Sequence, residues 1–167
     1  SHYRDELSRL KFLRSRTSIP LILLSATVPL SYEEKLNQLF VTKFKVIRDS
    51  TVRPNITYRK QLLPTNDELI KTLCESIKAK ISKYSSEERC IVYCQTTLLC
   101  DQLKSKLEKY VTNVFIYTSK HPEKDSNFKK WRQTPKSIMI ATTGFGSGID
   151  YPSVRDVCIY GSCYSVL

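Results

Sequence analysis

From about Asn66 onward, short apolar runs alternate with longer amphipathic stretches, and this alternation constrains the fold more than any other feature. The runs RCIVYC, NVFIY, SIMIAT and VRDVCIYG have the length and composition of strands. Between them lie stretches of helical periodicity, such as the one that places Leu69, Leu73, Ile77 and Ile81 on a single stripe. Helices alternating with buried strands predict an α/β domain with a parallel sheet and helices on its faces.

The first 48 residues have the same texture but fewer elements. The run IPLILLSAT predicts a buried parallel strand, FKVIR predicts a second strand, and the helix between them is expected to start with a capping box of Ser31 and Glu34. We therefore interpret residues 1–48 as the C-terminal part of one α/β domain and residues 66–167 as a second. The extended segment 49–65 between them reads as an interdomain linker.

Composition narrows the class of partner. The chain has 167 residues, with 27 basic against 16 acidic ones and a net charge of +11. That balance favours a polyanion, with nucleic acid first, although a solvated basic surface explains the charge equally well. The sequence contains six cysteines without a CxxC pair and two histidines, so no metal site is predicted and reduced thiols are expected. No apolar run approaches the ~20 residues of a membrane span, so neither a membrane partner nor secretion is predicted.

Three segments leave a predicted strand with small or hydroxyl residues, namely LLSATVP, VYCQTT and MIATTGFGSGID. In open α/β sheets ligands bind beyond the carboxyl ends of the strands, where such residues could meet phosphate oxygens. The third segment alternates Gly144, Gly146 and Gly148 with other residues and is followed by Asp150. It is neither a Walker A loop nor a Rossmann fingerprint, and a tight turn with a capping aspartate is the structural alternative.

Taken in order, LILLSATVP, RPNITY, IVYCQTT and IMIATTGFGSGIDYPSVRDVCIY resemble the RecQ type of superfamily 2 helicase, over nearly the whole chain. The resemblance implies RecA-like (P-loop NTPase-type) parallel sheets with flanking helices. Residues 1–48 would then be the end of the first motor domain with motif III, and residues 66–167 most of the second motor domain with motifs IV and V.

The resemblance also implies roles for residues that adjoin the nucleotide cleft of the intact enzyme. Ser25, Ala26 and Thr27 match motif III, which couples nucleotide state to the relative position of the two motor domains. Gly148 and Asp150 match the motif V positions that approach the nucleotide. In the family, ATP and Mg²⁺ are held mainly by groups of the first motor domain, so neither is expected to bind tightly to this chain alone.

A second group of residues is implied to contact nucleic acid. Tyr93, Gln95 and Thr96 lie on motif IV, at the nucleic-acid face of the second domain. Thr142 and Thr143 fall in motif V, where hydroxyl and backbone groups contact DNA phosphates. The expected partner is single-stranded or partly unwound DNA, together with the remainder of the helicase core.

Several family motifs are absent from the sequence. It has no GxxxxGK[ST], no DExH and no QxxGRxGR with its arginine fingers. Because loss of an arginine finger alone lowers the rate by ~10³–10⁵, we predict no detectable ATP hydrolysis by this chain by itself. The chain is therefore interpreted as a piece of a RecQ-like helicase, either an excised fragment or a truncated gene product, for which subtelomeric copies in fungi are one setting.

The intact family enzyme unwinds DNA with 3'–5' polarity at the expense of ATP, which is the activity the resemblance implies for the parent protein. A non-enzymatic nucleic-acid-binding module, or a relic that kept the helicase fold, is the alternative. A third hypothesis is that the chain is an unrelated nucleotide-binding α/β domain that resembles the helicases by convergence. Convergence does not account for RPNITY between two α/β blocks. The expected location is the nucleus in a eukaryote and the cytoplasm otherwise.

Overall fold

The computed structural model describes residues 12, 16, 19–50, 52–146 and 150–161. The chain divides into two compact units near Arg59, inside the segment 49–65 that we interpret as a linker. The division agrees with two blocks joined by a connection, while the limits 1–48, 49–65 and 66–167 stay a prediction.

Helix α1 of the first unit spans Glu33–Phe40 and follows a 3₁₀ turn at Leu30–Tyr32. Phe40 is buried and its ring meets that of Phe44 edge to face, with centroids 5.8 Å apart. The guanidinium of Arg48 donates to the carbonyl of Val28 at 2.8 Å and to the carboxylate of Glu33 at 2.7 Å. These contacts tie the segments on either side of α1 together.

Two expectations for the first unit are wrong. The runs IPLILLSAT and FKVIR are not strands, because neither pairs with another strand among the described residues, and most of their apolar side chains are exposed. Leu24 and Ile47 are each 91% exposed. Nor does a capping box start α1, since Tyr32 occupies the N-cap position without any side-chain hydrogen bond. An apolar run becomes a strand only where a neighbour accepts its backbone hydrogen bonds.

In the second unit, helices and strands alternate along the chain as predicted. The helices are α2 (Asn66–Ile81), α3 (Thr97–Leu107) and α4 (Lys124–Gln133), and the strands are β1 (Arg89–Cys94), β2 (Val114–Tyr117), β3 (Ile138–Ala141) and β4 (Val154–Tyr160).

The four strands form one parallel sheet in the order β2-β3-β1-β4, which confirms the predicted α/β class. Strand β1 lies between β3 and β4, and its Tyr93 is level with Ala141 of β3 and Ile159 of β4. All the strands therefore end along one border of the sheet, which we call the carboxyl edge. The opposite border, where the strands begin, is the amino edge.

Helices cover both faces of the sheet because successive strand residues point to opposite sides. Helices α2 and α3 pack on the face that carries Val92 and Ile140. Helix α4 packs on the face that carries Ile91 and Met139, with Trp131 fully buried. The cysteines of the described part are free thiols, and those on α2, β1 and α3 are buried as small apolar residues.

Candidate nucleic-acid interface

The segments predicted as motifs IV and V emerge side by side at the carboxyl edge. Tyr93 near the end of β1 is the register partner of Ala141, the last residue of β3. Gln95 follows β1 directly and Thr142 follows β3 directly. Because β1 and β3 are neighbouring parallel strands, these two segments share one short stretch of surface.

A close contact joins the two segments. A Cβ atom added to Gly146 would lie 2.9 Å from the Tyr93 Oη and 3.8 Å from its Cζ, so only glycine leaves room for the tyrosine hydroxyl. Burial raises the pKa of Tyr93, whose side chain is half-buried. Among the described residues, the Tyr93 hydroxyl has no hydrogen-bond partner.

On the other side of β1, Gln95 packs against the end of β4. Gly161 has a φ of +104°, a conformation that favours glycine, and a Cβ there would meet the Gln95 Cδ at 3.4 Å. Thr96, the next residue, is the N-cap of α3, and its Oγ1 accepts a hydrogen bond from the Leu99 amide at 3.2 Å. The first turn of α3 carries no acidic residue, so its positive end faces solvent uncompensated.

The glycine segment begins as a 3₁₀ turn over Thr143–Gly146 rather than as an open loop. The Phe145 amide donates to the Thr142 carbonyl at 3.0 Å and closes this turn. Thr142 is half-buried and Thr143 is exposed, so both hydroxyls lie at the surface of the carboxyl edge.

Phe145 anchors the turn in an aromatic cluster that also contains Tyr117, Phe128, Trp131 and Tyr151. Its ring centroid lies 4.9 Å from that of Tyr117, 5.9 Å from Phe128 and 5.8 Å from Trp131, and its side chain is only 1% exposed. Tyr151 meets Trp131 at 5.2 Å from the other end of the segment. The same cluster therefore holds the glycine segment before and after residues 147–149.

Arg89 secures the end of α4 beneath this cluster. The residue is only 2% exposed. Its guanidinium donates to the carbonyl oxygen of Trp131 at 3.0 Å and to that of Arg132 at 3.2 Å. Those carbonyls lie in the last turn of the helix, where no intrahelical amide is left to bind them. The Arg89 guanidinium also lies 5.9 Å from the Tyr151 ring centroid. One arginine thus joins β1, α4 and the return of the glycine segment.

The remaining predicted residues are Ser25, Ala26, Thr27, Gly148 and Asp150. Ser25, Ala26 and Thr27 are exposed in the first unit, where the Ser25 Oγ accepts from the Thr27 amide at 3.2 Å. Gly148 lies outside the described residues. Asp150 is exposed and precedes Tyr151, which packs towards the amino edge beside Arg89. The nucleotide-binding role of Asp150 stays a prediction.

Sequence reasoning missed three residues that shape the interface, Arg89, Phe145 and Gly161. A large aromatic residue between two glycines was the available signal for Phe145. An arginine at the start of an otherwise apolar strand was the signal for Arg89. Gly161 carried no signal in the sequence, because its role depends on β4 ending next to Gln95.

Two negative findings apply to the described residues. Within the described ranges, no group of three or more His, Cys, Asp or Glu side chains is arranged to hold a metal ion. Among the helices that the structure describes, none has the length and apolar character needed to cross a membrane.

Comparison with known proteins supports the motif-based interpretation. Residues 68–166 match the helicase conserved C-terminal domain. The RecQ-like DNA helicase BLM of Xenopus laevis is 30% identical over 160 residues, which are 93% of this chain and 11% of that protein. The ATP-dependent DNA helicase Q-like 4B of Arabidopsis thaliana is 29% identical, and the ATP-dependent helicase SGS1 of Saccharomyces cerevisiae is 24% identical. Each of these two also aligns with 93% of this chain.

The chain spans 11% to 13% of the length of these three relatives. The matched domain accounts for the second unit, and the alignments extend through most of the first. The order of motifs, the parallel sheet and the relatives agree with one another. The chain therefore belongs to the helicase conserved C-terminal domain family, in the RecQ-like branch that its motifs indicated.

Proposed function

We propose that this chain is the nucleic-acid-binding portion of a RecQ-like, ATP-dependent DNA helicase. We further propose that its carboxyl edge binds the backbone of single-stranded DNA. The observation that carries this proposal is the convergence of Tyr93, Gln95 and Thr142 on one edge, with the Tyr93 hydroxyl against Gly146. Hydroxyl groups, backbone amides and an uncompensated helix N-terminus suit phosphate oxygens.

The net charge of +11 supports the same partner. Neutralising backbone phosphates releases counterions, so binding should weaken steeply as salt is raised. Hydroxyl and backbone amide groups contact phosphate oxygens rather than base edges, so we expect little preference among DNA sequences. In a eukaryotic host we place the parent protein in the nucleus, where its DNA substrate lies.

Binding of a labelled oligothymidylate, followed by fluorescence anisotropy, tests the proposal. Replacing both hydroxyls in Thr142→Val/Thr143→Val keeps the side-chain shape and removes the phosphate donors, so affinity should fall by roughly 5- to 30-fold. Thr112→Val is the matched control, because Thr112 is exposed just before β2, at the amino edge. Equal DNA affinities of the Thr142→Val/Thr143→Val variant and the Thr112→Val control would contradict the proposal.

Catalysis is expected to need groups from outside this chain. With neither a Walker A lysine nor arginine fingers in the sequence, we expect no ATP turnover by the chain alone, with or without DNA. DNA binding without hydrolysis is also what the alternative of a non-enzymatic module predicts. DNA-stimulated hydrolysis above the level of an irrelevant protein purified in parallel would overturn this expectation.

A further inference from the structure

Helix α4 is the most basic of the helices that the structure describes in the second unit. Helix α4 has four basic residues and one acidic residue, whereas α2 has three of each and α3 has two basic and one acidic. Ser126, Lys129, Lys130 and Gln133 are all exposed and follow the i, i+3, i+4, i+7 spacing of one helix stripe. We call these four residues the α4 face.

The usual structural reasons for basic residues account for only part of this charge. Lys130 and Arg132 lie in the last turn, where cations complement the helix dipole. Lys129 precedes that turn, and Lys124 opens the helix at the end where a cation is unfavourable. Within the described residues, no basic side chain of α4 forms an ion pair. The Arg132 guanidinium lies 5.8 Å from the Phe128 ring centroid and 6.0 Å from that of Tyr151, whereas Lys129 and Lys130 are exposed to solvent.

Helix α4 adjoins the glycine segment that follows β3. Helix α4 begins a few residues after β2, whose last residue, Tyr117, is the register partner of Ala141. Phe128 of α4 packs edge to face against Phe145 of the glycine segment, with ring centroids 5.9 Å apart. Helix α4 thus contacts the glycine segment through Phe128 and extends about 15 Å along the domain.

We propose that the α4 face is a second contact surface for the DNA phosphate backbone, which the strand reaches after leaving the carboxyl edge. This inference rests on the proposed function, since it extends the path of the same DNA strand. Lys129 and Lys130 supply the charge, and Ser126 and Gln133 supply neutral hydrogen-bond donors on the same stripe. The aromatic cluster keeps the two surfaces in a fixed relation.

The salt dependence of oligothymidylate binding by the full chain distinguishes phosphate contacts at the α4 face from a general effect of net charge. For single strands the slope of log K against log salt changes by ~0.7 for each phosphate contact. Lys129→Gln/Lys130→Gln should therefore reduce the slope by about 1.4 and weaken binding roughly tenfold at low salt. Lys78→Gln/Lys109→Gln removes the same charge from the opposite side of the sheet and should leave the slope unchanged. Lys129→Arg/Lys130→Arg should retain both slope and affinity.

Each outcome bears on the inference. If Lys129→Gln/Lys130→Gln changes the salt slope and the affinity no more than Lys78→Gln/Lys109→Gln does, the α4 face is a solvated surface. The inference is then wrong, while the carboxyl-edge proposal stands. If the unaltered chain fails to bind oligothymidylate, the proposed function fails first. If polyglutamate competes as well as DNA at equal charge, the face fits acidic proteins, which also overturns the inference. A reduced slope of log K against log salt in Lys129→Gln/Lys130→Gln, but not in Lys78→Gln/Lys109→Gln, supports the inference.

Discussion

Gly146→Ala tests the contact between motifs IV and V most directly. The new Cβ would lie 2.9 Å from the Tyr93 Oη, about 0.5 Å inside ordinary van der Waals contact. Gly146 does not have a positive φ, so an alanine there meets no backbone strain. The whole penalty therefore comes from the tyrosine hydroxyl, which stands at the far end of a half-buried side chain.

The expected magnitudes follow from that geometry. Displacing the Tyr93 ring from its preferred rotamer costs about 1 kcal/mol, so Gly146→Ala should lower the free energy of unfolding by that amount. In a Tyr93→Phe background the nearest atom is Cζ at 3.8 Å, and the clash disappears. Alanine should then be neutral or stabilise the domain by about 0.5 kcal/mol, because it restricts the unfolded chain more than glycine does.

Urea unfolding of the two single variants, the double variant and the unaltered chain forms a double-mutant cycle. We expect a coupling energy of about 1 kcal/mol or slightly more between positions 93 and 146. Gly144→Ala is the matched control, because no atom lies within 4 Å of the added Cβ and its effect should not depend on Tyr93. Equal effects of Gly146→Ala in both backgrounds would refute the proposed contact.

Three further predictions concern what holds the interface in place. Arg89→Lys should lower the free energy of unfolding by roughly 2–4 kcal/mol in urea titrations, because an ammonium cannot reach both terminal carbonyls of α4; an effect below about 1 kcal/mol would argue against the capping role. Phe145→Ala should cost about 3–5 kcal/mol and release the glycine segment, seen as faster amide exchange at residues 142–146, whereas unchanged exchange would count against the anchor. Burial pushes the pKa of Asp156 up, but the hydrogen bonds from Lys80 and Tyr84 outweigh that effect and hold it below its usual value. The stability that Asp156 confers should therefore be complete above about pH 5 and be lost as pH falls below about 4, so the destabilisation caused by Asp156→Ala, about 1–3 kcal/mol, should vanish in acid; a pH-independent difference would contradict this.

The second unit was largely predictable because its sequence signals are local. The strand β1 coincides with the run RCIVYC, and α2 starts where Thr65 caps it by accepting from the Glu68 amide at 3.3 Å. Such patterns report which residues avoid water and which backbone groups are satisfied nearby. The first unit was predicted less well, since IPLILLSAT needs a partner strand to become one and has none among the described residues.

In the candidate interface too, local sequence signals were predictable and contacts between distant segments were not. Small and hydroxyl residues after predicted strands indicated the segments VYCQTT and MIATTGFGSGID, and the family resemblance then implied contact roles for Tyr93, Gln95 and Thr142. Their convergence was decided by the strand order β2-β3-β1-β4, a tertiary choice that no single segment encodes. The same order set the Tyr93 hydroxyl against Gly146, brought Gln95 beside Gly161 and buried Phe145 among rings from α4. Contacts between residues distant in sequence depend on how whole layers pack, and only the folded structure contains that information.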